Sequence, residues 1–255
     1  MTSPAKPTTN AAGPGAVLLT QSHPADMAGA LAALGIASLA NPLLTARATI
    51  VDWATLGRPA DEWRAALLTS ANAVPALAAA PLARDLPVYT VGDSTAAAVR
   101  AAGFTDTVSA DGDANALAAL VRRARAPTDG PLLYLAGAEV AGDLAAQLGQ
   151  DGFTARRVDV YRMVAARALA PATVTALADG ALSAAALMSR RTAEVFVNLV
   201  TAAAATGKIA HLDAVCLSPQ IAEVAATLTW RRLITASAPT RAAMIATLAA
   251  ANRER

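Results

Sequence analysis

One cysteine cannot form an internal disulfide, and Cys216 lies in the apolar run Ala214-Val215-Cys216-Leu217, so it is expected to be a buried packing residue. The two histidines, His23 and His211, stand far apart and read as surface or capping residues. There is no Ser/His/Asp constellation, no metal-ligand cluster and no glycine-rich phosphate loop, since Val91-Gly92-Asp93-Ser94-Thr95 has too few glycines for a dinucleotide fingerprint. Arg, Asp, Thr and Pro interrupt every alanine-rich stretch before about 18 apolar residues accumulate, which argues against a membrane span. A net charge of +2 is too small to suggest a nucleic-acid partner. No heptad run argues for an obligate assembly, so a monomer is expected. Residues 1–14 hold Pro, Thr, Asn and Gly without an apolar core, and are expected to form a disordered tail and not a signal peptide. A cytoplasmic enzyme or binder is the resulting expectation, with neither metal nor organic cofactor.

What the chain does have is alanine, arginine and an internal echo. Hydrophobic residues make up 55% of it, but alanine favours helices and buries little area per residue. Only Lys6 and Lys208 are lysine; the other basic residues are arginine, which prefers planar carboxylate and phosphate partners. Of the arginine pairs, Arg122-Arg123, Arg156-Arg157 and Arg231-Arg232 read as solvated helix or strand-edge charge. Arg190-Arg191 differs, because it directly follows an expected strand end at Ser189.

The echo is in the strand ends. Leu67-Leu68-Thr69-Ser70-Ala71-Asn72 is matched by Leu187-Met188-Ser189-Arg190-Arg191-Thr192, each an apolar run that stops at a hydroxyl and starts a helix. Val88-Tyr89-Thr90-Val91-Gly92 is matched by Ala214-Val215-Cys216-Leu217-Ser218, and Ala16-Val17-Leu18-Leu19-Thr20 by Leu132-Leu133-Tyr134-Leu135-Ala136. The alternation of short apolar runs with longer helical ones predicts parallel sheets flanked by helices. The fold class is therefore α/β, with two similar domains and a cleft between them. The expected division is a first, discontinuous domain of residues 15–38 and 164–255, a second of residues 53–152, and connector strands at 39–52 and 153–163. If those strands pair antiparallel, they form a two-stranded hinge.

In such sheets ligands bind beyond the carboxyl ends of the strands. There, free N–H groups at helix starts attract anions. The turns at Ser70-Ala71-Asn72, Gly92-Asp93-Ser94-Thr95, Gly137-Ala138 and Ser218-Pro219-Gln220 all offer this arrangement, with Ser70 and Ser94 also able to act as N-caps.

The ordered set Thr69-Ser70-Ala71-Asn72-Ala73-Val74, Val91-Gly92-Asp93-Ser94-Thr95-Ala96, Leu133-Tyr134-Leu135-Ala136-Gly137 and Val160-Tyr161-Arg162 resembles uroporphyrinogen-III synthase, from Val17 to Leu248. The resemblance implies two α/β domains joined by a β-ladder, no cofactor, and a lyase that cyclises the linear tetrapyrrole hydroxymethylbilane. Loss of the terminal hydroxyl as water would give an azafulvene. Attack by ring D at its substituted carbon, through a spirocyclic pyrrolenine, would then close the ring with D inverted. Such catalysis rests on orientation more than on strong acid or base. A transient contact with the upstream bilane-forming enzyme is also implied.

The resemblance places a functional tyrosine at Tyr161, whose phenol can donate to the departing hydroxyl; Tyr134, inside an apolar strand, reads as core. Thr69, Ser70, Ala71, Asn72, Gly92, Ser94, Thr95 and Gly137 are expected to bind substrate from one repeat. Ser189, Arg190, Arg191, Ser218 and Gln220 are expected to do so from the other. The chain departs from the family's habit at Gln21 and Ala136, where arginine is common, and in the Ser218-Pro219-Gln220 turn. The alternative is a non-catalytic two-domain binder of a polyanionic small molecule or tetrapyrrole.

Overall fold

A computed structural model of the protein describes residues 15–56, 60–139 and 142–254. The expected tail, residues 1–14, lies outside them. The chain opens with β1 (Ala16–Leu19), α1 (Ala25–Ala33), β2 (Ser38–Ala40) and β3 (Leu44–Ala48). It continues through β4 (Ala65–Leu68), α2 (Val74–Ala79), β5 (Val88–Thr90), α3 (Asp93–Ala101), β6 (Thr107–Ser109) and α4 (Ala114–Ala124). Then come β7 (Leu132–Gly137), α5 (Leu144–Gln150), β8 (Ala155–Ala165), α6 (Pro171–Ala178) and β9 (Leu182–Leu187). The last elements are α7 (Arg190–Ala202), β10 (Asp213–Cys216), α8 (Pro219–Ala225), β11 (Arg232–Thr235) and α9 (Arg241–Arg253).

These elements form two compact units, one of Ala46–Met163, the other of the stretch ending at Thr45 together with that beginning at Val164. The divisions fall inside β3 and β8. In the discontinuous unit the sheet runs β11-β10-β9-β1-β2. In the continuous unit it runs β3-β8-β7-β4-β5-β6. Without β3 the two orders correspond strand for strand, β8 to β2, β7 to β1, β4 to β9, β5 to β10 and β6 to β11, and the pairs within both sets of five are parallel. β3 runs against β8: the Thr49 amide donates to the Val160 carbonyl and the Ala166 amide to that of Leu43, so one chain rises as the other falls. Leu39 and Ala40, given to a connector by the sequence reading, pair with β1 as part of the first sheet. Residues 155–163 likewise lie in β8, which pairs in parallel with β7 from Ala155 to Tyr161.

The sequence writes these strands as unbroken apolar runs because both faces are covered. AVLL in β1 and AALL in β4 are buried at every residue. The two-residue period of a strand sends alternate side chains to opposite faces. Ala16 and Leu18 enter one core layer with Ala185 and Leu187 of β9, while Val17 and Leu19 enter the other with Met27, Leu31, Met244 and Leu248. In the continuous unit Ala66, Leu68, Leu133 and Leu135 face one layer, and Ala65, Leu67, Leu132 and Tyr134 the other. Each fully buried leucine contributes roughly 1.5–3 kcal/mol.

Candidate active site

Within the continuous unit a cavity of about 630 Å³ lies at the carboxyl ends of the central strands. Thr69 and Ser70 reach it from the end of β4, Tyr134 from β7 and Tyr161 from β8, with the starts of α4 and α5 completing the wall. β4 and β7 are neighbours, but the chain runs outward from β4 through β5 to β6 before returning to β7 and β8. The cavity therefore sits where the strand order reverses, the place at which the connecting loops diverge and leave room for a ligand.

Tyr161 owes its position to an irregularity. β8 pairs with β7 in regular register up to Ala136 and Asp159, then skips a residue so that Gly137 faces Tyr161. Such a bulge re-aims the side chains that follow it. The ring then lies against the bare backbone of Gly137: a Cβ there would come within 2.8 Å of Cζ and 3.0 Å of the phenol oxygen. Only glycine admits the ring in this place. Arg157 fixes the same turn, donating to the Gly137 carbonyl at 3.0 Å and to that of Ala138 at 3.2 Å, while Asp159 holds its Nε at 2.8 Å. Arg157 is thus no simple strand-edge charge. Tyr161 itself is buried among Val160, Leu133 and Leu135.

Tyr134, expected in the core, is indeed only 2% exposed, but it also lines the cavity. Its hydroxyl lies 3.3 Å from Thr69 Oγ1. Burial pushes its pKa up, and the Thr69 hydrogen bond opposes that rise. Asp113 and Asp143 stand at the starts of α4 and α5 as N-caps. Asp113 accepts from the amides of Asn115 and Ala116 at 2.9 Å, and Asp143 from that of Ala146 at 3.1 Å. Sequence reasoning passed over Tyr134 because its neighbours are apolar. An Asp just before each alanine-rich helix was the available signal for the other two.

The remaining expected residues divide. Ser70 caps the 3₁₀ turn at Ala71–Ala73, accepting from the Asn72 amide at 3.2 Å. The Asn72 side chain donates instead to Met163 Sδ at 3.7 Å. Ala71 and Asn72 do not line the cavity, nor do Gly92, Ser94 and Thr95, although Val91 beside Gly92 does. Gly92, and not Ser94, is the N-cap of α3; Ser94 lies one residue inside the helix and is exposed, while Thr95 is buried. No side chain caps α3.

In the discontinuous unit, Ser189 caps α7, accepting from the Thr192 amide at 3.1 Å. Arg190 and Arg191 occupy the first turn of that helix, and Arg190 pairs with Glu194 at 3.0 Å. Ser218 precedes α8 without a side-chain capping bond, and Gln220 is exposed in its first turn. These five residues thus sit at the carboxyl ends of the adjacent strands β9 and β10. At the opposite end of β10 lies buried Asp213, which takes Arg231 at 2.7 Å and Arg232 at 2.8 Å. That pair, expected to be solvated, is held there because a carboxylate 1% exposed needs compensating charge.

His23 is exposed, and Cys216 is fully buried, its thiol pushed up to about 12 by desolvation. Among the described residues no group of three or more His, Cys, Asp or Glu could hold a metal ion, and no helix is long and apolar enough to cross a membrane.

A sequence model of the family described as Uroporphyrinogen-III synthase HemD matches residues 25–246. Among solved structures, a uroporphyrinogen-III synthetase from Helicobacter pylori 26695 is similar with a TM-score of 0.60 at 14% identity, over 91% of this chain and 97% of that one. A mutant uroporphyrinogen III synthase from Thermus thermophilus gives a TM-score of 0.48 at 16% identity, over 94% and 100%. No match is found among curated protein sequences.

Proposed function

Because the chain belongs to the uroporphyrinogen-III synthase family, we propose that it is the lyase that removes the terminal hydroxyl of hydroxymethylbilane as water and closes the macrocycle with ring D inverted, giving uroporphyrinogen III. The observation that carries this reading is the family match over residues 25–246. The cavity lined by Tyr161, with a volume in the ordinary range of ligand pockets, supports it.

In this reading Tyr161 is the proton donor. Its phenol O–H can donate to the hydroxyl as the C–O bond breaks, so that water leaves in place of hydroxide. The electrons of the pyrrole nitrogen drive that departure, and its N–H proton returns to the Tyr161 phenolate, which restores the donor and leaves the neutral azafulvene as electrophile. Ring closure then depends on which carbon of ring D is presented to it, so the remaining residues act by holding the chain. Thr69, Ser70, the uncapped start of α3 after Gly92, and Ser189, Arg190, Arg191, Ser218 and Gln220 bind the acetate and propionate arms. The first-turn arginines of α7 support this role. Cations beside the positive end of a helix dipole cost a few tenths of a kcal/mol or more, a cost that an anionic ligand reverses. Asp113 and Asp143, lining a cavity for a polyanion, suit pyrrole N–H donors.

We further propose that the paired β3 and β8 join the two units, and that the protein works as a cytoplasmic monomer receiving its unstable substrate from the bilane-forming enzyme. The test is to supply enzymatically generated hydroxymethylbilane to the purified protein and resolve the product isomers. The inverted isomer is expected, faster than spontaneous closure. Uninverted product alone, at the spontaneous rate, would defeat the enzymatic reading.

A further inference from the structure

The three tyrosines of the chain are paired very differently. Tyr89 has its hydroxyl 3.0 Å from the Arg125 guanidinium and lies outside the cavity lining, so a charged partner accounts for its polar group. Tyr161 has its ring seated on Gly137. Tyr134 is only 2% exposed, yet its phenol has one described partner, the Thr69 hydroxyl, at the long distance of 3.3 Å. A hydroxyl held to the protein by one long bond adds little to packing, and phenylalanine would fill the place of the ring as well. The hydroxyl therefore answers to something other than packing.

Thr69 suggests what. It is half-buried and lines the same cavity, and it continues the face of β4 on which Leu67 packs beside Tyr134. A threonine hydroxyl has one proton to give and two lone pairs to receive with. If Tyr134 donates to Thr69 Oγ1, the threonine proton is left to donate elsewhere, and the cavity is where it can go. Resting on the reaction given above, we propose that Tyr134 is a positioning residue, which holds the Thr69 hydroxyl so that it donates into the cavity to a carboxylate arm of the substrate. Burial also pushes the pKa of this phenol further up, in the direction that favours the donor form. Chained hydroxyls also polarise one another, which strengthens the outward bond.

The experiment measures kcat, KM and thermal midpoint for Tyr134→Phe, Thr69→Val, Thr69→Ser and the Tyr134→Phe/Thr69→Val pair. Tyr134→Phe and Thr69→Val are each expected to raise KM about three- to tenfold, with kcat within twofold. The pair should do no worse than the poorer single variant, because both remove the same bond. Thr69→Ser should keep KM near the parent value, and Tyr134→Phe should not lower the thermal midpoint. Additive KM effects would overturn the proposal, as would an unchanged KM with a lowered midpoint, the mark of a purely structural hydroxyl. Calorimetric titration with a pyrrole carrying one acetate and one propionate arm separates this result from the fate of the reaction itself. If the parent protein fails to convert the bilane, the reaction is wrong; weaker pyrrole binding by Tyr134→Phe and by Thr69→Val still supports the hydroxyl pair, and equal binding overturns it.

Discussion

The two sheets share one order of five parallel strands but close their central strands by different means. In the discontinuous unit, buried Thr20 follows β1 and donates to the Ala186 carbonyl of β9 at 2.6 Å, a short bond that spends the hydroxyl on backbone. In the continuous unit Ala136 stands at the corresponding place on β7, and the link to β4 is made by the longer Tyr134–Thr69 contact. All three tyrosines belong to the continuous unit. The strand entries differ as well: β10 begins at the buried carboxylate Asp213, whereas β5 begins at fully buried Val88. Topology thus fixes where strand ends fall, and side chains decide whether such an end serves as a brace or as a ligand wall. One unit carries its charge as an internal clamp and as first-turn arginines, and the other carries its hydroxyls around a cavity.

The largest expected effect breaks the clamp. Asp213→Asn should cost about 3 kcal/mol in urea unfolding, since it leaves Arg231 and Arg232 without their shared carboxylate. The same bond should show in acid. Burial alone would raise the Asp213 pKa, but the two arginines outweigh it and hold the carboxyl at about 2, below its ordinary 3.8. A depressed carboxylate contributes stability that is fully present above the ordinary value and is lost as pH falls through the folded one. About 2 kcal/mol should therefore disappear between roughly pH 4 and pH 2. Unfolding midpoints of the parent and Asp213→Asn should converge over that window; parallel curves would contradict it.

Gly137→Ala comes next, because it tests the cavity side of the comparison. The added methyl must displace the Tyr161 ring, at a stability cost of about 1–3 kcal/mol. In kinetics it should lower kcat, and in a Tyr161→Phe background it should add little, since the hydroxyl it misplaces is already gone. A full additional loss in that background would mean that Gly137 acts on substrate directly.

The smallest effect is expected where charge meets a helix start. Arg190→Gln, in the first turn beside Arg191, should leave folding stability within about 0.5 kcal/mol, because relief at the α7 dipole offsets the lost Arg190–Glu194 pair. The same variant should raise KM several-fold with kcat little changed. A kcat loss would move this arginine from holding the substrate to its chemistry.

Much of the fold was legible because fully buried parallel strands are written as short apolar runs ending at Gly, Ser or Thr. Pro24 at its start and Gly35 just past its end mark α1 in the same way. β6 leaves little mark, because Thr107-Val108-Ser109 is three residues long with an exposed valine. α6 is masked because Thr173 and Thr175 interrupt a short segment in which Leu177 is the one large buried apolar side chain. At the site, strand-end hydroxyls could be found by position, since a hydroxyl after an apolar run has few other places to be. The bulge that turns Tyr161 onto Gly137 could not, because register is set by pairing between strands and leaves no mark in either one. The role of Asp213 was hidden for a like reason: its partners are 18 and 19 residues away, and their adjacency is a product of β10 pairing with β11.

The central claim is that the cavity of the continuous unit does chemistry and does not merely hold a ligand. Steady-state kcat and KM of Tyr161→Phe with hydroxymethylbilane test it most directly, since phenylalanine keeps the ring on Gly137 and removes only the donor. General-acid assistance is worth about 10²- to 10⁴-fold, and departure of this hydroxyl is intrinsically easy, so a kcat loss of about tenfold to a hundredfold is expected, with KM nearly unchanged and the inverted isomer still formed. Full kcat in the variant would contradict the claim and leave the protein working by substrate conformation alone.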